Sequence, residues 1–465
     1  MHAAGVPITA ELLRKHDRPG PRYTSYPTAV EFHDGIGEVQ YKEKLAQADA
    51  LANEPLSLYF HLPFCHERCT FCGCHVTITK RTERATEYLE YLHREIDLVA
   101  KHLPNRRQVA QYHWGGGTPT YHSPDELRQL HRTVCERFEI LPSAEVAIEI
   151  DPRVTSHEHV DALRDMGFNR LSMGVQDFTP AVQEVINRYQ SYEQTKDLFD
   201  YCRKRGFDSI NVDLIYGLPL QTPETFGAAL DQVIAMRPDR VAMYSFAFVP
   251  WKQGNQRILT QDMTLPPELK VELYLLGLRK FTGAGYRQIG MDHFALPEDE
   301  LARALDRRAL HRNFQGYTTH PANDTVAFGL SGIGDLQGLY IQNIKEHERY
   351  YTAIRDHRLP VFRGVQLSED DQLRRHVITQ IMCNLYLDPH DVERRYGLDF
   401  PTYFAWELEA LREPERDGFV RVTPDAIEVT PLGRVFIRNI AMIFDVYLRK
   451  PHGDATDKPV FSRTI

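Results

Sequence analysis

The chain is 465 residues long, which allows two or three domains at about 150 residues each. Its hydrophobic fraction of 42% and its charged fraction of 26% are those of an ordinary globular protein, and no apolar run of about 18 residues predicts a membrane span. The net charge of -9, without a basic block, argues against nucleic acid as a partner and favours a cytoplasmic enzyme.

Residues 1–54 are predicted to form a polar N-terminal arm. Within it, the stretch 20–28 contains two prolines and a glycine, which exclude a helix there. An extended segment of this kind is often only a packing strap. It can also lie across a pocket and offer Arg22 to a carboxylate.

From residue 55 onward, strand-like and helix-like patterns alternate. The strand-like runs lie at 57–62, 109–114, 145–150, 169–175, 209–214 and 240–245. Such alternation predicts a parallel sheet with right-handed crossovers. About six βα units make roughly three quarters of a TIM-type barrel, in which the chemistry lies at the C-terminal ends of the strands.

Four of the seven cysteines lie within ten residues, directly after the first of these strands. Cys65, Cys69 and Cys72 are spaced Cys-x3-Cys-x2-Cys, so that one loop can wrap a single inorganic core. Thiolates are the soft ligands of both iron–sulfur clusters and zinc. A structural zinc site usually takes two separated pairs of ligands, and no second pair follows in this sequence. A disulfide framework is expected even less in an intracellular type of chain.

The number of cysteine ligands decides what an iron–sulfur site can do. A cuboidal four-iron cluster normally takes four cysteines. If only three bind, one iron keeps an open position, and open positions are where metal sites do chemistry. Cys74 follows two residues after Cys72, and we expect it to be a small buried side chain and not a ligand.

Short or polar residues recur at the C-terminal ends of the predicted strands. They are the run Gly115–Gly117, Glu149, Gln176, Asp213 and, after the sixth strand, Ala247. Without side chains, the backbone of the glycine run can approach a ligand closely. Each position also has a simpler explanation as a loop residue, a solvated strand end or a strand-end cap. Their recurrence at corresponding ends is the stronger signal for a shared site.

The alternation stops after about residue 250. The stretch 310–319 is aromatic and polar without periodicity, which predicts an irregular binding loop. A glycine-rich segment follows at 328–334, where Ile333 is a candidate pocket-lining residue.

A separate C-terminal domain is predicted from about residue 365. A helix through residue 385, a hairpin over 418–430 and a further helix follow in the order of a winged helix. The acidic balance of the chain favours a lid or support for the barrel over DNA binding. The predicted fold is therefore α/β, with an arm (1–54), a partial TIM-type barrel with substrate loops (55–364) and a mainly helical, winged-helix-like domain (365–465).

Seven motifs are distinctive when they are taken together. They are Gly-Pro-Arg-Tyr-Thr-Ser-Tyr-Pro-Thr at 20–28, the cysteine motif at 65–74, Trp-Gly-Gly-Gly-Thr-Pro-Thr at 114–120, Ser-Met-Gly-Val-Gln-Asp at 172–177, Asp-Leu-Ile-Tyr-Gly-Leu-Pro at 213–219, Gly-Met-Asp-His-Phe-Ala at 290–295 and Asn-Phe-Gln-Gly-Tyr-Thr-Thr at 313–319. The cysteine motif resembles that of the radical S-adenosylmethionine superfamily. The whole set resembles the oxygen-independent coproporphyrinogen III oxidase family within it.

The resemblance implies one 4Fe-4S cluster on Cys65, Cys69 and Cys72, and two molecules of S-adenosylmethionine. The residues implied for the cluster-bound molecule are Tyr59, Phe71, Gly116, Glu149 and Ile333. Those implied for the second molecule are Gly117, Thr118, Gln176, Arg188, Asp213 and Ala247. The catalytic residues implied by the same resemblance are Tyr59, His61, Glu149, Phe314, Gln315 and Ile333.

The reaction implied by the resemblance is the oxidative decarboxylation of two propionates to vinyl groups by a 5′-deoxyadenosyl radical, in haem biosynthesis. The implied partners are a porphyrinogen substrate, a reductant for the cluster and an electron acceptor, and the enzyme is expected to be a monomer. Two other hypotheses remain: a haem-trafficking protein of the same superfamily, and a zinc-stapled scaffold. A tetracarboxylate substrate needs cationic partners, for which Arg22, Arg312 and Lys80 are candidates.

Overall fold

The structure is a computed structural model that describes residues 2–3, 6–319, 324–449 and 460–464. Within these residues, twelve strands form the principal sheet. They are β1 (Leu56–Leu62), β2 (Gln108–Gly116), β3 (Glu139–Ile150), β4 (Arg170–Gln176), β5 (Ser209–Tyr216), β6 (Arg240–Ser245), β7 (Arg287–Ile289), β8 (His293–Ala295), β9 (Thr325–Phe328), β10 (Ile333–Leu336), β11 (Leu339–Asn343) and β12 (Val361–Gln366).

The α-helices of the described residues lie before, between and after these strands. They are α1 (Ala10–His16), α2 (Glu38–Asp49), α3 (Thr82–Ala100), α4 (Pro124–Cys135), α5 (His157–Asp165), α6 (Pro180–Val185), α7 (Tyr192–Lys204), α8 (Pro223–Met236), α9 (Pro267–Gly283), α10 (Glu300–Asp306), α11 (His347–Arg355), α12 (Glu369–Thr379), α13 (Pro389–Tyr396), α14 (Phe400–Tyr403), α15 (Ala405–Arg416) and α16 (Ile437–Ile443).

The strands β1 to β6 are parallel and neighbour one another in chain order, which confirms the predicted partial barrel of six βα units. Every residue of β1 except Tyr59 is buried, because a central parallel strand is covered on both faces. The helix α3 shows how the outer layer packs. Its buried residues recur at helical spacing, so one apolar face covers the sheet. The predicted capping box of α4 is present, with Ser123 and Glu126 bonded to each other's backbone.

The sheet continues beyond the predicted barrel on both sides. β9 pairs in parallel with β1, and β10, β11 and β12 follow as antiparallel strands. On the other side, β8 and then β7 extend the sheet antiparallel from β6. The expectation of an irregular loop at 310–319 was wrong, because His311–Asn313 and Gly316–Thr318 pair as a short antiparallel hairpin.

The C-terminal region has the predicted helical character. The helix α12 continues as a π-helical turn to Asn384, and Leu385 then takes a left-handed conformation that ends it. The predicted hairpin is present as Val420–Val422 and Ile427–Val429, and a third short strand, Tyr386–Leu387, joins it.

The N-terminal arm contains two helices that the sequence patterns did not indicate, α1 and α2, while the stretch 20–28 is non-helical as predicted. Two isolated bridges help to attach the arm: Pro19 pairs with Arg463, and His33 pairs with Gly364 of β12. It is therefore held between the C-terminal residues and the far edge of the sheet. No helix among the described residues is long and apolar enough to cross a membrane.

Candidate active site

A cavity of about 180 Å³ lies at the C-terminal ends of β1 to β5. It brings together eleven of the residues singled out from the sequence, which are Cys65, Cys69, Phe71, Cys72, Gly116, Gly117, Thr118, Glu149, Gln176, Arg188 and Asp213. These residues come from five separate βα units. Folding of the barrel therefore places residues from separate strand ends in one site, which we call the cysteine cavity.

The side-chain amide of Asn255 binds three backbone carbonyls of the cysteine loop. Asn255 donates from Nδ2 to the carbonyl oxygens of Cys69, Thr70 and Cys72, at 3.1, 2.9 and 3.0 Å. Gln256 next to it donates to the carbonyls of Phe71 (3.3 Å) and Ala247 (3.0 Å). Carbonyl groups turned outward in this way leave the cysteine side chains to line the cavity. Asn255 lies more than 180 residues from the loop, and no sequence motif indicated it.

Two guanidinium groups lie beside the thiol of Cys69. Nη2 of Arg153 is 3.8 Å from Sγ, and Nη1 of Arg188 is 3.9 Å from it. Both cations share Asp151, to which Arg188 donates at 3.0 Å and Arg153 at 2.7 Å. Burial raises the pKa of Asp151, but Arg188 and Arg153 outweigh it and bring the pKa to about 2. In general, nearby cations favour a thiolate over a thiol, and the thiolate is the form that binds metal.

The glycine run passes too close to its neighbours for any side chain. A Cβ on Gly117 would lie 2.6 Å from the carbonyl carbon of Pro63, and one on Gly116 would lie 2.7 Å from the ring of His61. Gly116 also has a φ of +112°, which L-residues rarely adopt. The backbone of Gly117 and Thr118 donates instead to Leu62 and Phe64, both at 2.9 Å. The loop is therefore fixed against the strand that carries the cysteines.

His61 is held in one neutral tautomer beneath this loop. Its Nε2 lies 2.9 Å from the carbonyl oxygen of His75, which can only accept, so Nε2 carries the proton. Nδ1 then accepts from the hydroxyl of Tyr59 at 3.0 Å. Burial lowers the pKa of His61 to about 4, which agrees with a neutral ring. Tyr59 and His61 thus support the glycine loop from below.

Two carboxylates face the cysteine cavity with opposite pKa shifts. Burial raises the pKa of Glu149, but a nearby His113, whose Nε2 is 3.5 Å away, and the amide of Gly116 at 3.1 Å hold it below its usual value. Burial raises the pKa of Asp213 to about 6, although Ser172 and Asn211 donate to it. Glu149 is therefore ionised at neutral pH, as a carboxylate that binds a cationic ligand must be.

Three of the predicted catalytic residues lie in a different cavity. Phe314, Gln315 and Ile333 line a neighbouring space of about 120 Å³, together with Tyr23 and Ser25 of the arm. Gln315 also lines the barrel interior with Tyr59, Glu149 and Asp213, and so connects the two sites. The structure brings Ile333 together with Phe314, where both pack against Tyr340, and not with the cysteines.

The three candidate cations for substrate carboxylates have different surroundings. Arg312 is buried and already faces Asp292, with Nη2 at 3.3 Å from Oδ2. Arg22 donates to the carbonyl of Ser245 at 2.6 Å, and it lines two cavities. Lys80 is exposed and does not line the cavities that contain Arg22 or Arg312.

The residues of the cysteine cavity fit an iron–sulfur cluster with a small cationic ligand. The soft donors of the cavity are cysteine thiols, which suit iron–sulfur clusters, and two guanidinium groups lie beside Cys69. The close-packed glycine loop and the ionised Glu149 lie next to them. Cys74 also lines the cavity but is exposed, so the expectation of a buried side chain was wrong, and position alone does not separate it from the other three. Within the described residues, no three Cys, His, Asp or Glu side chains converge on a single metal ion.

Comparisons with known proteins agree with this site. The model of the radical SAM superfamily matches residues 59–233, and that of the HemN C-terminal domain matches residues 367–436. A Pseudomonas aeruginosa protein named oxygen-independent coproporphyrinogen III oxidase is 43% identical over 98% of this chain and 98% of its own length. This chain belongs to the oxygen-independent coproporphyrinogen III oxidase family. Its namesake from Escherichia coli K12 is 44% identical over 94% of this chain and 95% of its own length.

The fold of the family matches as well. The solved structure of coproporphyrinogen III oxidase (HemN) from Escherichia coli, described there as a radical SAM enzyme, superposes with a TM-score of 0.88. That match has 43% identity and covers 92% of this chain and 97% of the other. The cofactors of this radical SAM family, a 4Fe-4S cluster and S-adenosylmethionine, are therefore those of this chain.

Proposed function

We propose that this chain catalyses the oxygen-independent oxidative decarboxylation of coproporphyrinogen III to protoporphyrinogen IX. Each of two propionates would lose one hydrogen from its β-carbon, one further electron and CO₂, and become a vinyl group. The observation that carries the proposal is the cysteine cavity, in a chain that matches this family over almost its whole length.

We assign the cluster to Cys65, Cys69 and Cys72, with Cys74 left unbound. When bound, the cluster and S-adenosylmethionine supply the one-electron chemistry that removes hydrogen from the propionate. The protein orients the participants and excludes water. Arg153 and Arg188 balance the negative charge on the thiolate of Cys69, at 3.8 and 3.9 Å.

The carboxylates of Glu149 and Asp213 are assigned to the two molecules of S-adenosylmethionine. Glu149 offers an ionised carboxylate beside the glycine loop, which suits the ammonium group of S-adenosylmethionine. Gln176 at the end of β4, Asp213 on β5 and Arg188 between α6 and α7 also line the cavity and are assigned to the second molecule. Phe314, Gln315 and Ile333 line the adjoining cavity and are assigned to the substrate side of the reaction.

The arrangement also accounts for the further expectations about this protein. We propose that the enzyme is a monomer, which light scattering would test. We also place it in the cytoplasm, where reducing conditions suit thiolates.

The function is tested with anaerobically reconstituted protein, reductant, S-adenosylmethionine, coproporphyrinogen III and a one-electron acceptor, followed by chromatography of the oxidised porphyrins. We expect the monovinyl intermediate and then the divinyl product. A protein with a full cluster that forms neither would refute the proposal. Tight stoichiometric haem binding without turnover would instead support the haem-trafficking hypothesis, and zinc without iron by elemental analysis would support the scaffold hypothesis.

A further inference from the structure

An open cavity of about 470 Å³ lies over the N-terminal arm, separate from the cysteine cavity. Its walls come from three parts of the chain that are distant in sequence. The lining residues are Pro21, Arg22, Tyr23, Thr24, Ser25, Thr28, Ala29, Val30, Lys252, Arg363 and Phe461. We call this cavity the cationic basin. Two backbone hydrogen bonds between His33 and Gly364 hold the arm beside Arg363.

The charge of the basin has one sign. Arg22, Lys252 and Arg363 line it, and no Asp or Glu is among its described lining residues, although the chain as a whole is acidic. In the described part of the chain, Lys252 and Arg363 bond to neutral groups, whereas Arg22 also lines a second cavity with Asp292 and helps to lower the pKa of that carboxyl. Arg22 donates to the carbonyl of Ser245 (2.6 Å), Arg363 donates to the side-chain oxygen of Gln342 (2.8 Å), and Lys252 donates to the carbonyl of Val460.

Cations without an acidic partner are costly where they are partly desolvated. Burial lowers the pKa of Arg363 and of Lys252, as it does when no nearby carboxylate compensates. An anionic ligand would remove this cost. Guanidinium and ammonium groups are the usual partners of carboxylates.

The shape of the basin suits an apolar body with charged edges. Ala29, Val30 and Phe461 give it apolar walls between the cations. It shares the wall formed by Tyr23, Thr24 and Ser25 with the cavity of Phe314, Gln315 and Ile333. The loop that carries Lys252 also contacts the cysteine loop, because the side chain of Gln253 donates to the carbonyl of Gly73 at 3.1 Å.

We propose that Lys252 and Arg363 bind the two propionate carboxylates of the tetrapyrrole that do not react. This inference rests on the proposed function. Of the four propionates of the substrate, two become vinyl groups and two persist in the product. A site for the two that persist contacts them equally in substrate and transition state. Its loss therefore raises KM and leaves kcat unchanged.

The test compares matched variants of the anaerobically reconstituted full chain. The variants Arg363→Gln and Lys252→Met remove one basin cation each, and Arg363→Lys keeps the charge. The controls Arg358→Gln and Arg257→Gln remove exposed cations outside the basin. The binding probes are coproporphyrin III, the fluorescent oxidised form of the substrate, and its tetramethyl ester, which has the same ring without carboxylate charges.

We expect Arg363→Gln to raise the Kd for coproporphyrin III about tenfold, because its guanidinium is half-buried. Lys252→Met should raise it about threefold, because Lys252 is the more exposed of the two residues. Arg363→Lys and both controls should stay within about twofold of the wild type. The ester should bind all variants equally, and cluster iron should be unchanged. In turnover, KM should follow Kd while kcat stays within about twofold.

Two results would overturn the inference while the proposed function stands. One is normal wild-type turnover with unchanged Kd and KM in Arg363→Gln and Lys252→Met. The other is an equal loss of ester and free-acid binding, which would indicate a change of shape instead of charge recognition. A wild-type protein that binds coproporphyrin III but makes no product would overturn both proposals together.

Discussion

The buried carboxylate of Glu95 leads to a prediction of how the stability of the protein depends on pH. Its carboxylate is buried on α3 and accepts three hydrogen bonds, from the amide of Gly329 (2.8 Å), the hydroxyl of Tyr350 (2.6 Å) and the side chain of Asn343 (2.7 Å). It thereby anchors the glycine-rich turn before Ile333. Burial raises the pKa of Glu95 from 4.5 to about 7, despite these three donors.

The sign of the resulting pH dependence follows from linkage. Because the folded pKa lies above the unfolded one, folding disfavours the ionised carboxylate. The cost is absent well below pH 4.5, grows as the pH rises toward 7, and is complete above it. Because one pKa unit corresponds to about 1.4 kcal/mol, the cost rises from about 1 kcal/mol near pH 5 to about 3 kcal/mol near pH 8.

The variant Glu95→Gln removes this dependence and keeps the shape of the side chain. In the variant, an NH₂ group replaces one of the two carboxylate oxygens. This NH₂ group then faces a hydrogen-bond donor, which costs about 1–3 kcal/mol at every pH. The stability advantage of the wild type over the variant should therefore shrink by about 2–3 kcal/mol between about pH 5 and about pH 8. The difference in unfolding free energy between the wild type and the variant is used because the titration of all other groups cancels in it.

The assay is equilibrium urea unfolding of both proteins at matched pH values, followed by circular dichroism. A difference in unfolding free energy that stays constant with pH would refute the reasoning, because Glu95 would then be ionised in the folded state without cost. A smaller advantage at high pH, with equal cluster content in both proteins, would support it.

Three further predictions concern the cysteine loop. Cys74→Ser should keep full iron content, whereas serine at any of the other three motif cysteines should abolish the cluster; equal iron loss in all four would contradict the three-ligand assignment. The variant Asn255→Ala should lose cluster iron to a chelator several times faster than the wild type, because three loop carbonyls lose their hydrogen-bond donor. An unchanged rate of iron loss would show that Asn255 does not stabilise the loop. Gly117→Ala should weaken S-adenosylmethionine binding at least tenfold by equilibrium dialysis, because its Cβ meets backbone atoms at 2.6–2.8 Å, whereas Gly73→Ala, with 3.8 Å to the nearest side chain, should bind normally.

Most of the fold could be predicted from the sequence because its signals are local. The strands β1 to β6 were located within a few residues at the ends that carry the site, since buried apolar runs and helix caps lie within single segments. The hairpin at 311–318 was missed, because its polar and aromatic residues show no alternation. The extension of the sheet through β9 to β12 was missed as well, because such short strands resemble loops in sequence.

The cysteine spacing and the glycine run were determined by the sequence itself, since their atoms meet within one loop or with the strand next to it. The surroundings of those groups were decided only by the tertiary structure. Asn255 reaches the cysteine loop, and Arg188 reaches Cys69, across more than 100 residues each. The same holds for the cationic basin, where Arg22 and Arg363 share a cavity. Closing the barrel brings distant strand ends together, and no local pattern of side chains records which of them will meet.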